Sequence, residues 1–121
     1  MNHGRKTTGG KYHGHSKKKL HESHGQERAV SLGEIKRKTL KVRGGNKKTI
    51  LLKTDTVNLL SGGKVQKVEI KNVLETPQNR FLARQNRLLK GAIVQTSAGK
   101  ARITNRPSQE GHVNAVLIKE E

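Results

Sequence analysis

Apolar residues are almost missing from the first 31 positions. Beyond Met1, only Leu20, Ala29 and Val30 are aliphatic there, and they follow neither a helical nor a strand period. Around them lie Gly4, Gly9, Gly10, Gly14 and Gly25, five of the six histidines, and the run Lys17-Lys18-Lys19. Such a segment buries too little apolar surface to offset its ordering entropy. It is expected to be a long basic extended tail, disordered when free.

The pattern changes from residue 32 onward. Ile35–Arg43 alternates, with Leu40 and Val42 on one face and Thr39, Lys41 and Arg43 on the other. Gly44-Gly45-Asn46 signals a turn, because Gly and Asn tolerate positive φ. Lys48–Lys53 reads as a short apolar strand, and Val57–Leu60 as another before the turn Ser61-Gly62-Gly63. Lys64–Leu74 alternates over its whole length, with Val68, Ile70 and Leu74 inward and Lys67, Glu69 and Lys71 outward. Ala92–Thr96, a turn at Ser97-Ala98-Gly99, Ala101–Thr104, a loop from Asn105 to Gly111, and Val113–Ile118 complete the chain. Six or seven short strands with glycine turns predict a mostly β protein. The expected architecture is a small antiparallel β-barrel, which avoids exposed sheet edges.

One stretch departs from strand alternation. Asn79–Leu89 holds good helix formers behind Pro77, with Asn79 as N-cap. A helix over this range stacks Arg80, Arg84 and Arg87 on one face. Phe81, Leu82, Leu88 and Leu89 fall opposite, against the barrel. The expected division is a tail over residues 1–31 and a barrel domain with one short helix over residues 32–121.

Charge turns this organisation into a functional reading. The 121 residues carry 26 Lys+Arg against 9 Asp+Glu, a net charge of +17. Residues 1–49 hold 14 Lys/Arg and 3 acids, and residues 50–121 hold 12 and 6, so the excess divides as +11 and +6. Self-repulsion at this density calls for a polyanionic partner. No apolar run approaches the roughly 20 residues of a membrane span, and the tail lacks the apolar helix face of a membrane anchor. The absence of cysteine removes disulfides and thiolate metal sites.

Three groups of residues are candidate nucleic-acid contacts. In the tail, Arg5, Lys6, Thr8, Gly9, Gly10, Lys11, Lys17, Lys18 and Lys19 combine cations with glycines that let the backbone approach phosphates. Tyr12 is the tail's one candidate for base stacking. Around the central turn stand Arg43, Asn46, Lys47 and Lys48. On the expected helix, no carboxylate lies three or four residues from Arg80, Arg84 or Arg87 to pair with them. Tyr12 and Phe81 are the chain's two aromatics, so stacking is not expected to be the main binding mode.

Other chemistry finds little support. His13-x-His15 and His21-x-x-His24 have chelating spacings, but they sit in a tail without fixed geometry, so no metal site is expected. Asp55 is the only aspartate and the acids are scattered, which gives no general acid–base pair. The glycines match neither a Walker A loop nor a dinucleotide fingerprint. The protein is expected to be no enzyme and to use no cofactor or small-molecule substrate.

Four motifs in order bear a resemblance. Gly4-Arg5-Lys6-Thr7-Thr8-Gly9-Gly10, Val42-Arg43-Gly44-Gly45-Asn46-Lys47-Lys48, and Pro77-Gln78-Asn79 with Ala83-Arg84 and Lys90-Gly91-Ala92-Ile93-Val94 form the first three. Ala101-Arg102-Ile103-Thr104-Asn105-Arg106-Pro107 with Val113-Asn114-Ala115-Val116-Leu117 is the fourth. Collinear over nearly the whole chain, they resemble the small-ribosomal-subunit protein eight-e family in its short archaeal form. The long insertion of eukaryotic members is missing. His13–Gln26 departs from the family pattern, being richer in histidine and poorer in arginine and proline.

The resemblance implies a β-barrel body, a basic N-terminal extension and a structural role in the cytoplasmic ribosome. The implied partners are small-subunit rRNA and neighbouring ribosomal proteins, with no homo-oligomer expected. The tail is expected to thread between rRNA helices and to touch backbone and 2′-OH groups, reading shape rather than sequence. Two other classes fit the charge: a DNA-architectural or chromatin protein, and a small β-barrel factor that binds the ribosome transiently.

Overall fold

The computed structural model describes residues 4–14, 16–25 and 27–118. His15 of the His13-x-His15 pair lies outside the described residues, as do residues 1–3, 26 and 119–121 of the expected tail and barrel ranges. Among the described residues, eight strands and two short α-helices make up the fold: β1 (Ser31–Leu32), β2 (Lys36–Lys41), β3 (Lys47–Thr54), β4 (Thr56–Ser61), β5 (Lys64–Glu75), α1 (Arg80–Arg84), β6 (Ile93–Thr96), β7 (Gly99–Ile103), α2 (Pro107–Glu110) and β8 (Asn114–Leu117).

The expected barrel is present, built from five strands in the closed order β4-β5-β6-β7-β8. Its neighbours pair antiparallel except at the closing seam. There β8 runs parallel to β4, with Asn58, Leu59 and Leu60 opposite Asn114, Ala115 and Val116. The β4–β5 hairpin turns on Gly62 and Gly63, at φ 55° and 82°, the left-handed pair that a two-residue hairpin demands. Ile35–Arg43 and Lys48–Lys53, taken from the sequence as part of one run of strands, stand outside the barrel. They form a separate three-stranded sheet in the order β1-β3-β2, with β1 parallel to β3.

Alternation explains the barrel interior. Val57 and Leu59 of β4, Val94 of β6, Ala101 and Ile103 of β7 and Ala115 of β8 are buried in one cluster, and the alanines suit its narrow bore. Val30, Leu51, Leu88, Ala92 and Val113 close the cluster. Val30 falls within the expected tail range, yet it is fully buried. Leu88 donates its N–H to the Val30 carbonyl at 2.9 Å, and Leu32 donates to Asn86 at 3.1 Å. The chain is thus fixed to the fold at residues 30–32.

Strand β5 breaks its own period. The register with β6 shifts between Ile70 and Asn72 and again between Val73 and Glu75. A bulge at Lys71 therefore turns Val73 into the core and leaves Leu74 on the outside, opposite to the expected alternation.

The loop from Asn105 to Gly111 contains α2, started by Pro107, whose fixed φ suits a first helical position. It ends at Gly111 in the left-handed conformation, φ 70°. A Cβ at Gly111 would meet Thr49 at 3.1 and 3.2 Å, so only glycine lets this turn lie against β3.

Candidate nucleic-acid interface

Among the described residues, and leaving aside Lys100, which has an interaction of its own, no lysine or arginine lies in an ion pair with a carboxylate. Glu22 and Glu110 instead lie 3.8 and 3.9 Å from the rings of His21 and His112. The described cations other than Lys100 are therefore not neutralised by carboxylates among the described residues.

The tail cations come together in part. Lys6 donates its N–H to Gly10 at 2.9 Å and Gly9 donates to Lys6 at 2.8 Å, closing a tight turn. The Arg5 guanidinium reaches the Gly9 carbonyl at 3.1 Å, and Arg5 bridges to Lys11 antiparallel. Gly9 takes φ 81°, which this turn requires. Arg5, Lys6, Thr8, Gly9, Gly10 and Lys11 thus share one exposed turn. The Lys6 ammonium stands 5.6 Å from the centroid of the Tyr12 ring, a cation–π distance. Lys17, Lys18 and Lys19 precede a single 3₁₀ turn over Leu20–Glu22, where the Lys19 N–H donates to the Glu22 carboxylate at 3.1 Å. Every described residue from 4 to 29 is exposed.

The central turn has the glycine geometry expected of it. Gly44 and Gly45 sit at φ 77° and 76°, and Val42 donates to Asn46 at 2.8 Å. Arg43, Asn46 and Lys47 are exposed around it. Lys48 is half-buried instead, its ammonium donating to the Gln109 side chain and tying β3 to α2. Lys41 and Lys47 lie directly opposite each other across β2–β3, an arrangement that repels unless an anion sits between them.

The arginine stripe is corrected. Helix α1 ends at Arg84, well short of Leu89, because Asn86 adopts a left-handed φ of 51°. Asn86 donates to the Ala83 carbonyl at 2.9 Å and Arg87 to the Leu82 carbonyl at 3.0 Å, the hydrogen-bond pair that closes a helix C-terminus. Arg80 and Arg84 remain together on the exposed helix. Arg87 lies beyond it, half-buried and bridged to Ser31. Phe81 does not pack on the barrel either. It is 64% exposed, with the Arg84 guanidinium 5.9 Å from its ring centroid. Only Leu82 and Ala83 of the helix are half-buried, and Ala83 packs against the core.

Sequence reasoning missed the cations of β2. Lys36, Arg37, Lys38 and Lys41 are exposed on a strand that pairs on one side only. The signal was present: cations on both faces around the single apolar Leu40 mark an edge strand. No group of three or more His, Cys, Asp or Glu among the described residues is placed to hold a metal ion.

The sequence model of the family described as Ribosomal protein S8e matches residues 1–118. A protein of Haloarcula marismortui named small ribosomal subunit protein eS8 is 43% identical, over 95% of this chain and 94% of its own length. Proteins of the same name from Methanocorpusculum labreanum and Methanococcus aeolicus are each 43% identical, over 95% and 96% of this chain and 94% and 93% of their own lengths.

Proposed function

The chain belongs to the ribosomal protein S8e family, and from that premise we propose that it is a structural component of the small ribosomal subunit. In this reading it binds small-subunit rRNA, touches neighbouring ribosomal proteins and resides in the cytoplasmic ribosome. The family is one of ribosomal proteins, not of enzymes. The observation that carries the RNA reading is the unpaired charge: 26 Lys+Arg against 9 Asp+Glu, with the described cations other than Lys100 free of carboxylates.

The mechanism divides between two parts. The barrel is a platform held by its own core. The tail supplies cations and glycines that follow the RNA backbone, neutralising crowded phosphates where no globular element fits. The turn at Gly44-Gly45, strand β2 and the Arg80–Arg84 face extend this surface on the folded part. Most of these contacts reach phosphate and ribose, so they fix register on the folded RNA rather than read bases.

Reconstitution with small-subunit rRNA tests the reading. The protein is expected to remain on the particle through a high-salt wash and to prefer structured rRNA over duplex DNA in competition. Equal affinity for duplex DNA would make it an architectural DNA binder. Complete loss in the wash would make it a transient factor.

A further inference from the structure

Between β5 and α1 lies a cleft of about 770 Å³, within the size range of small-ligand sites. Its walls are the bulged end of β5, the turn before α1, and the left-handed residue Asn86. Three asparagines line it, and each has its carboxamide oxygen engaged. Asn72 and Asn86 both accept from the Val73 N–H, at 2.9 and 3.4 Å, and Asn79 accepts from the Phe81 N–H at 2.9 Å. Their NH₂ groups have no partner among the described residues. Arg80 and Arg84 line the same cleft, and neither pairs with Glu75, the one acid on its wall. The lining thus holds several unused donors, with the Glu75 carboxylate and the Gln78 side-chain oxygen as its free side-chain acceptors. Beside it stands the exposed Phe81–Arg84 pair, an aromatic face backed by a guanidinium.

Resting on the RNA reading above, we propose that this cleft captures a single unpaired guanine nucleotide of the bound rRNA. The base stacks on Phe81 and Arg84, as splayed bases do on aromatic and guanidinium planes. Arg80 takes the phosphate. The asparagine NH₂ groups of Asn72 and Asn86 donate to the N7 and O6 acceptors of the guanine edge. Adenine offers N7 beside an amino donor, which needs an acceptor partner. At Asn72 and Asn86 that partner would have to be a carboxamide oxygen, and both oxygens are turned toward the Val73 N–H, which leaves the NH₂ ends to meet the base. The selection therefore comes from backbone hydrogen bonds that fix which end of each carboxamide is free.

The test uses small subunits reconstituted with the full chain, probed with dimethyl sulfate at guanine N7 and with hydroxyl radicals along the backbone. Phe81→Ala removes an exposed ring. Asn86→Gly removes one donor while keeping the left-handed turn, and Val73 retains Asn72 as its acceptor. One guanine N7 is expected to be protected by the wild-type protein and to regain reactivity about tenfold in either variant. Incorporation and the remaining footprint should be unchanged.

If no guanine responds while the rest of the footprint persists, the cleft does not capture a nucleotide. A response confined to backbone cleavage reduces the site to phosphate docking and overturns the proposal. A responding adenine or pyrimidine overturns the donor argument. The absence of any rRNA footprint from the wild-type protein would remove the RNA reading itself.

Discussion

Residues 4–29 and the barrel strands β4–β8 carry the same kind of cation in two different settings. In the barrel, each strand has an inward row of Val, Leu, Ile and Ala, and Lys67, Lys71 and Arg102 stand on the outer wall. Charge there decorates a structure that burial already holds. In the tail no described residue has an inward side. Its order is local: the turn at Lys6–Gly10 and the single turn at Leu20–Glu22, each held by a few hydrogen bonds. Such exposed bonds contribute only about 0.5–1.5 kcal/mol apiece, so these turns do not amount to a domain. On the proposed RNA-binding role, folding stability and RNA affinity reside in different residues and should be separable by substitution.

Removing residues 1–29 tests that separation most severely. The cut spares Val30, which belongs to the core. It deletes seven cations: Arg5, Lys6, Lys11, Lys17, Lys18, Lys19 and Arg28. The log–log salt slope of rRNA binding is expected to become shallower by about 5 to 6. Thermal unfolding of the remaining chain should move within about 0.5 kcal/mol. A large loss of stability would show that the tail is part of the fold.

The converse change is Leu88→Ala, at a fully buried position where the chain root and the exit of α1 meet. Denaturant titration should show a loss of about 2–5 kcal/mol. The salt slope of the folded fraction should stay where it was, and a shift would mean that core and RNA surface are coupled. A finer division concerns the folded part alone. Replacing Arg80 with Gln is expected to lower the salt slope by about 0.7 to 0.9, with stability unchanged within about 0.5 kcal/mol. Binding isotherms at several salt concentrations resolve a change of that size. An unchanged slope would place this helix away from phosphate.

The glycine turns, the mostly β class and the barrel were legible because each depends on local pattern. Gly62-Gly63 and Gly44-Gly45 announce turns by composition, and Val57–Leu60, Ala92–Thr96, Ala101–Thr104 and Val113–Ile118 announce short strands between turn signals. What could not be read was set by single residues acting at a distance. The bulge at Lys71 reverses which of Val73 and Leu74 faces the core, and nothing in a continuous alternation marks an inserted residue. Apolar content alone did not reveal that β2 and β3 leave the barrel, because Ile50 and Leu51 are both buried on the two faces of β3. Helix length was recoverable in principle, since Asn is the usual non-glycine residue at a left-handed helix end. Once α1 stops at Arg84, Phe81 and Arg87 change places relative to expectation. The aromatic becomes available to a ligand and the arginine draws back toward the chain root. The excess of cations over acids was legible only as an imbalance of numbers; their geometry shows which of them stand together.

The parallel seam between β4 and β8 also imposes an order in time. Asn58–Leu60 must wait for Asn114–Val116 before the barrel can close. A chain made from its N-terminus offers Arg5, Lys17 and the Gly44-Gly45 turn to its surroundings well before that last strand exists. The protein is thus charged before it is folded. Its basic segments can meet RNA while the seam is still open, and the barrel is the last part of the molecule to be finished.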